Sequence, residues 1–355
     1  MALKAVSQEA VRGLMAKLKE SMRVVAPHRR EGRNQWEFSD VEDPAKVSLE
    51  YTSTILPPKK YAFPTQDVLV HYKLGEKFEA EAVLQAEPIA LFGVHPCDIY
   101  ALECLDISMT DQYADPNWVE RRKAMRIIGV DCQPDEWCFC ASMKTATVSS
   151  GYDLFLTPIN DWTEFVADAA TAEGEEMLAM IDSREATSED LAQVRAWQSN
   201  KVAAQRERHI NTDINDLPLH FTGFADSEVW QRWADKCYSC GTCNITCPTC
   251  FCFDVLDQIK LTLDEGYRTR VWDGCMLEDF ALVAPHENFR EERSERIRHR
   301  FYRKYAYLFT RYGRAYCCGC GRCARQCLAD IDPVTVINEL LAEARKEKEG
   351  APHGA

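Results

Sequence analysis

Short blocks of consecutive apolar residues mark the first part of the chain. Residues 88–94 (PIALFGV) and 124–130 (AMRIIGV) predict buried strands of the parallel type, and residues 99–109 between them predict a helix. Residues 153–159 (DLFLTPI) and 163–169 (TEFVADA) predict further strands. The pattern therefore predicts an α/β domain over residues 1–215.

Helical spacing predicts the ends of this region. Residues 1–25 alternate charged and apolar positions as an amphipathic helix does, and residues 187–210 predict a second helix with Thr187 or Ser188 as its N-cap.

The pattern changes from residue 226 onward, where helical spacing is interrupted by two runs of cysteines. Residues 248–316 separate these runs, which is much more chain than a minimal two-cluster ferredoxin has. A helix-expanded, ferredoxin-like α-helical domain is expected over 226–345, followed by a flexible tail over 346–355. The predicted fold class is thus α+β and multi-domain.

The two cysteine runs share one spacing, C-x2-C-x2-C-x3-C, which bacterial-type ferredoxins use to bind [4Fe–4S] clusters. The first run consists of Cys237, Cys240, Cys243 and Cys247, and the second of Cys317, Cys320, Cys323 and Cys327. Zinc knuckles use paired C-x2-C elements instead of complete four-cysteine runs. The spacing therefore predicts two [4Fe–4S] clusters.

The fourth cysteine of such a run usually ligates the other cluster. We therefore expect Cys237, Cys240, Cys243 and Cys327 to hold one cluster, and Cys317, Cys320, Cys323 and Cys247 to hold the other. Leu328 replaces the proline that normally follows the fourth cysteine, and Cys318 is a possible decoy next to Cys317.

A further group of cysteines follows the two predicted parallel strands. These residues are Cys97, just after the first strand, and Cys132, Cys138 and Cys140, after the second. Ligands gather at the carboxyl ends of adjacent strands in an open α/β sheet, so a third [4Fe–4S] cluster is expected there. Zinc is an alternative ligand, and one or two of these cysteines could instead be buried apolar residues. His95 is interpreted as a structural residue.

Four other cysteines are harder to assign. Cys250, Cys252 and Cys275 could line the clusters, replace a ligand or contribute to the third site, and the sequence leaves these possibilities open. Cys104 falls on a predicted helix and is expected in the core.

Composition narrows the class of protein. The chain has 355 residues, 17 cysteines and a net charge of −14, which argues against nucleic-acid binding and against an anionic membrane surface. No secretory signal is visible and no apolar run is long enough to span a membrane. A reducing, cytoplasmic location is therefore expected, where clustered cysteines bind metal.

One basic stretch stands out from this acidic background. Residues 286–314 carry nine Arg or Lys against four Glu, interleaved with aromatic residues. The stretch could be a docking face, a positive shell around reduced clusters, or an ordinary solvated helix. The chain lacks GxGxxG, Walker and C-x-x-C-H motifs, so we expect it to carry electrons between partners that do the chemistry.

Together, the motifs GVHPCDIYALECLD, PDEWCFC, DKCYSCGTCNITCPTCFC, GYRTRVWDGC and YCCGCGRC resemble those of the β subunits of cytoplasmic NAD(P)-linked [NiFe] sulfhydrogenases. The A-type iron–sulfur subunits of anaerobic sulfite reductases are similar through the same motifs. The resemblance covers roughly residues 50–330. It implies an iron–sulfur subunit between a flavin subunit that handles NAD(P)H and a catalytic subunit, and it also implies ligand roles for Cys97, Cys132, Cys138 and Cys140.

The functional hypothesis is an electron-transfer subunit of a soluble oxidoreductase complex that serves a [NiFe] hydrogenase centre. The first alternative is the corresponding subunit of an anaerobic sulfite reductase. An alternative of another class is an iron–sulfur redox sensor or scaffold.

Overall fold

The computed structural model describes residues 3–33 and 35–350, with the side chains of 347–350 excluded. No helix within these residues is both long enough and apolar enough to cross a lipid bilayer.

A large mixed sheet forms the first part of the molecule. Within the described residues it has eight strands in the order β10-β1-β9-β8-β7-β6-β2-β3. Strands β2, β6, β7 and β8 run parallel, and the outer strands pair antiparallel. Its strands are β1 Lys4–Ser7, β2 Arg23–Arg29, β3 Trp36–Asp40, β6 Ile89–Val94, β7 Met125–Val130, β8 Leu154–Ile159, β9 Glu164–Ala169 and β10 Arg184–Glu185.

Both faces of this sheet are buried against apolar side chains. Val24, Phe92 and Val130 point into one core, and Val25, Leu91 and Ile127 point into the other. The covering helices are α1 Gln8–Leu18, α2 Pro96–Thr110, α3 Pro116–Ala124, α4 Ala172–Ala179 and α5 Ser188–Ala203.

The predicted strands and helices of this region are confirmed with one exception. The helix expected over 1–25 is only α1, because residues on either side of it join the sheet. Strand β1 pairs with β9, and β2 pairs with β6. Hydrogen bonding to distant strands overrides the helical spacing here.

A second sheet contains strands from both parts of the sequence. Over the described residues its order is β11-β12-β4-β5, all antiparallel. Its strands are β4 Gln66–Leu74, β5 Phe78–Ala82, β11 Phe253–Ile259 and β12 Glu265–Trp272. The expectation of helices throughout 226–345 is therefore wrong for residues 253–272, because β4 supplies β12 with a partner strand that the local sequence cannot reveal.

The remaining elements form a helical core around the cysteine runs. Trp230, Phe301 and Leu340 lie in this core, together with Phe139 from the first region. The helices are α6 Leu217–Phe221, α7 Val229–Lys236, α8 Thr242–Ile245, α9 Arg293–Tyr302, α10 Leu308–Tyr312, α11 Arg322–Arg325 and α12 Pro333–Gly350. A π-helical turn, Arg303–Tyr307, joins α9 to α10, and a short hairpin comprises β13 Leu282–Val283 and β14 Glu287–Asn288.

The flexible tail predicted over 346–355 is only partly within the described chain. Residues 346–350 continue helix α12, whereas residues 351–355 lie outside the described part of the chain. The domain limits 1–215 and 226–345 stay predictions, since the second sheet draws strands from both.

Candidate metal centres

The two cysteine runs adopt the same backbone turn. Gly241 has φ of 72° directly before α8, and Gly321 has φ of 71° directly before α11. This left-handed conformation is readily adopted by glycine. Each turn brings the cysteines before and after it to one side of a compact loop.

One cavity is lined by the first predicted ligand set. Cys237, Cys240 and Cys243 of the first run share it with Cys327 of the second run. Cys323 also reaches this cavity, whose apolar walls include Ile297 and Phe301. The structure thus brings together the crossed set that the run spacing predicts.

The second predicted set also lies together, on the other side of the same loops. Burial raises the pKa of the Cys317 thiol to about 12, and the nearby Cys323 and Cys247 contribute to the rise. Cys320 and Cys247 likewise act on Cys323. Such thiols remain protonated unless a bound cation stabilises the thiolate, which is the charge state that iron requires.

The third predicted set meets in a separate cavity at the carboxyl ends of β6 and β7. These strands are parallel neighbours, so the residues that follow them approach each other. The lining cysteines are Cys97, Cys132, Cys138, Cys140 and, from the second run, Cys320.

Two buried cations accompany this third group. Lys201 lines its cavity and pairs with Asp131, the residue before Cys132. Arg322, next to the second-run turn, makes two hydrogen bonds of 2.7 and 2.6 Å to Asp98, the residue after Cys97. Both pairs are almost fully buried. Sequence reasoning missed these residues because each pair joins distant segments.

The buried polar atoms of this cavity fit a bound group. His95 lines the cavity, stacks on Tyr51 with ring centroids 3.9 Å apart, and leaves its buried Nε2 atom without a hydrogen-bond partner. Burial also lowers the pKa of His95 well below its usual value, which keeps the ring neutral. Four thiols and a neutral imidazole form a donor set suited to iron.

The third group is joined directly to the second cysteine run. The Phe139 amide donates to the Gly319 carbonyl at 2.8 Å, and Thr145 Oγ1 donates to the Cys318 carbonyl at 2.7 Å. A Cβ atom on Gly319 would lie 2.6 Å from the Cys140 backbone, and one on Gly321 would lie 2.4 Å from the Trp137 carbonyl oxygen. Glycine at both positions therefore allows two cysteine loops to pack backbone against backbone.

The grouping of these thiols rests on shared cavities and neighbouring charges. Within the described residues, no three His, Cys, Asp or Glu side chains converge around a single-ion position. A cluster binds its cysteines through different iron atoms, so its ligands need not meet at one point.

The cysteines that the sequence left unassigned fall into two places. Cys104 is buried against Leu308 and Tyr316, which confirms its core position. Cys250, Cys252 and Cys275 lie near Asn244 of the first run, and they do not line the cavity of Cys97, Cys132, Cys138 and Cys140.

Comparison with known proteins agrees with this arrangement. Residues 236–331 match the family model of a 4Fe-4S dicluster domain. The match contains both cysteine runs, which establishes the ferredoxin-like domain near the C-terminus.

A curated relative matches most of the chain. It is the sulfhydrogenase 2 subunit beta of Pyrococcus furiosus, which is 35% identical over 329 residues. This alignment covers 91% of the present chain and 94% of the relative. The chain belongs to the sulfhydrogenase beta subunit family. This family member is thus an iron–sulfur electron-transfer protein of the hydrogenase-subunit type, as the sequence motifs indicated.

Proposed function

We propose that this sulfhydrogenase-type chain relays electrons between a flavin subunit that handles NAD(P)H and a [NiFe] hydrogenase centre on other subunits. In this proposal it holds two [4Fe–4S] clusters in the ferredoxin-like domain and a third in the first region. Its ligands are the crossed sets described above and Cys97, Cys132, Cys138 and Cys140. When bound, the clusters supply one-electron redox chemistry.

The position of the second run carries the proposal. Cys323 lines the cavity of the first-run group, whereas Cys320 lines the cavity of the first-region group. The second run therefore lies between the other two groups and contacts both. Three adjoining sites in series form a path, which an isolated sensor or scaffold cluster would not require.

The protein's own residues prepare this path for charge. The Lys201–Asp131 and Arg322–Asp98 pairs fix cations beside the thiols without exposing them to water. A nearby fixed cation stabilises the reduced, more negative state of a cluster. Apolar side chains such as Ile297 and Phe301 exclude water from the first-run cavity.

The surroundings of the complex follow from the same proposal. The partners are a catalytic hydrogenase subunit, together with a subunit that binds flavin and NAD(P), in the cytoplasm, with no role for nucleic acid or a membrane. The net charge of −14 supports the absence of a nucleic-acid partner.

The decisive experiment is anaerobic purification of the native complex with metal and cofactor analysis. Nickel and flavin in the complex, with about twelve irons on this chain's three sites, are expected. Sirohaem in place of nickel would assign the chain to a sulfite reductase. An isolated chain with four or fewer irons would contradict the relay.

A matched pair of variants tests the third site. The Cys138→Ser/Cys140→Ser variant should lose one cluster signal by electron paramagnetic resonance (EPR) and retain the two ferredoxin-like signals. Cys104→Ser alters a buried cysteine outside the ligand sets and should retain all three. Unchanged iron content in the double variant would return Cys138 and Cys140 to a purely structural role.

A further inference from the structure

Three cysteines outside the sites above surround one buried amide side chain. Asn244 Nδ2 lies 3.4 Å from Cys275 Sγ and 3.8 Å from Cys250 Sγ. The Asp273 amide donates to the Cys252 carbonyl at 3.2 Å, which holds Cys252 beside the turn that carries Cys275. The Cys252 thiol is also close enough to Cys275 to be affected by its charge.

The orientation of Asn244 shows what these sulfurs must do. The Met276 amide donates to Asn244 Oδ1 at 3.2 Å, so the side-chain NH2 group faces the sulfurs. An NH2 group can only donate hydrogen bonds. It therefore favours sulfur in its thiolate form, which is the stronger acceptor and the form that binds metal.

The surrounding chain makes room for this amide. A Cβ atom on Gly274 would lie 2.6 Å from Asn244 Cβ and Cγ, so glycine is required at this close approach. The second run has Ala324 at the position that corresponds to Asn244. A ferredoxin-like loop in this protein thus forms without the asparagine, whose role concerns the three neighbouring cysteines.

Buried positive charge near the three cysteines points the same way. Lys59 is 2% exposed and donates to the Cys250 carbonyl, and Lys304 is 6% exposed and donates to Thr249 Oγ1 at 2.8 Å. In the part of the chain that the structure describes, neither lysine has a carboxylate within ion-pair distance, whereas the buried Lys201 pairs with Asp131. A buried cation without a counter-charge is costly, so this pocket needs a nearby anionic group.

We propose that Cys250, Cys252 and Cys275 ligate an additional iron–sulfur cluster, distinct from the three that the proposed relay uses. Soft thiolates select iron–sulfur clusters or zinc. The net negative charge of a cluster with its thiolates satisfies Lys59 and Lys304. Asn244 donates hydrogen bonds to two of its sulfur ligands.

The site adjoins the relay. The Cys250 amide donates to the Cys247 carbonyl at 3.4 Å, and Thr249 Oγ1 donates to the carbonyl of Tyr316, which precedes Cys317. The additional cluster is therefore next to the second-run group, between it and the sheet that contains β11 and β12.

Native mass spectrometry with iron and sulfide analysis of the full-length chain, purified without oxygen, tests the site. The wild-type chain should carry three or four more irons than the roughly twelve of three clusters. Cys250→Ser/Cys275→Ser should lose only this excess and retain the other EPR signals. The Cys104→Ser control should keep the full iron content.

A milder variant tests the site without removing a ligand. Asn244→Ala places the second run's own residue in the first run, so the loop should fold. It should retain iron but shift the reduction potential of one cluster to a more negative value, because a hydrogen-bond donor to sulfur is lost. Unchanged potentials for every cluster would contradict the role of Asn244.

Other outcomes separate this inference from the relay itself. A wild-type chain with about twelve irons and an intact relay would overturn the additional cluster and leave the relay standing. Stoichiometric zinc on the three thiols would do the same. A chain without iron would overturn both.

Discussion

The two cysteine runs have the same spacing and the same turn, yet their surroundings differ sharply. The first-run loop lies at the surface, where Tyr238 is 71% exposed and Cys240 is exposed. The second-run loop is covered by the backbone of residues 137–140. Equivalent motifs can therefore serve as an outer and an inner station of one path, with the difference set by what packs against each turn.

The largest expected difference concerns the residue that follows the glycine of each turn. Arg322 in the second run is buried and paired with Asp98, whereas Thr242 occupies this position in the first run. Arg322→Ala should lower the free energy of unfolding by about 3–5 kcal/mol, because it leaves Asp98 charged, buried and unpaired. Denaturant unfolding under anaerobic conditions measures the effect.

Thr242→Ala serves as the matched control and should cost about 1 kcal/mol or less. The Arg322→Leu/Asp98→Leu double variant should be more stable than Arg322→Ala, since neither charge remains buried alone. Equal stability of the two single variants would remove the distinction between the runs.

The turn glycines give the second test. Gly321→Ala places a methyl group 2.4 Å from the Trp137 carbonyl oxygen, whereas Gly241→Ala meets the Leu277 side chain at 2.9 Å. Both changes strain a left-handed residue by about 1–2 kcal/mol, but only the first must also displace backbone. Gly321→Ala should thus have the lower melting temperature and should lose iron from the first-region site. If Gly241→Ala were equally damaging, the inner packing would not matter.

Oxidation should distinguish the clusters of the two runs. A hydrogen bond with Thr242 lowers the pKa of the exposed Cys240 thiol, whereas the corresponding Cys320 lies in a closed cavity. Limited treatment with ferricyanide should therefore destroy the first-run cluster first. EPR during the titration, combined with mass-spectrometric mapping of released cysteines, measures the order. Loss of the second-run cluster first would contradict an outer first run.

The smallest effect on stability is expected at the outer surface. Leu328 is 83% exposed beside Cys327 in the first-run cavity, so Leu328→Glu should change the free energy of unfolding by no more than about 0.5 kcal/mol. If partners exchange electrons at this face, the variant should still slow electron transfer in the complex. Stopped-flow reduction of the complex measures it, with Leu219→Glu, another exposed leucine, as the control.

The sequence by itself was sufficient for features with a local cause. The cysteine spacing identified the crossed groups around Cys237 and Cys317, and the apolar runs located the strands that precede Cys97 and Cys132. These predictions succeed because a loop's ligand geometry and a strand's burial are encoded in neighbouring residues. The motifs around the cysteines also led to the correct family.

Other features were decided only by the tertiary structure. Residues 253–272 form strands because β4 pairs with them from nearly two hundred residues away, and Arg322 and Lys201 become buried cations because Asp98 and Asp131 reach them from the first region. The placement of the second run between two other cysteine groups arises in the same way. Contacts between distant segments depend on how whole elements pack, and no local pattern of residues records that packing.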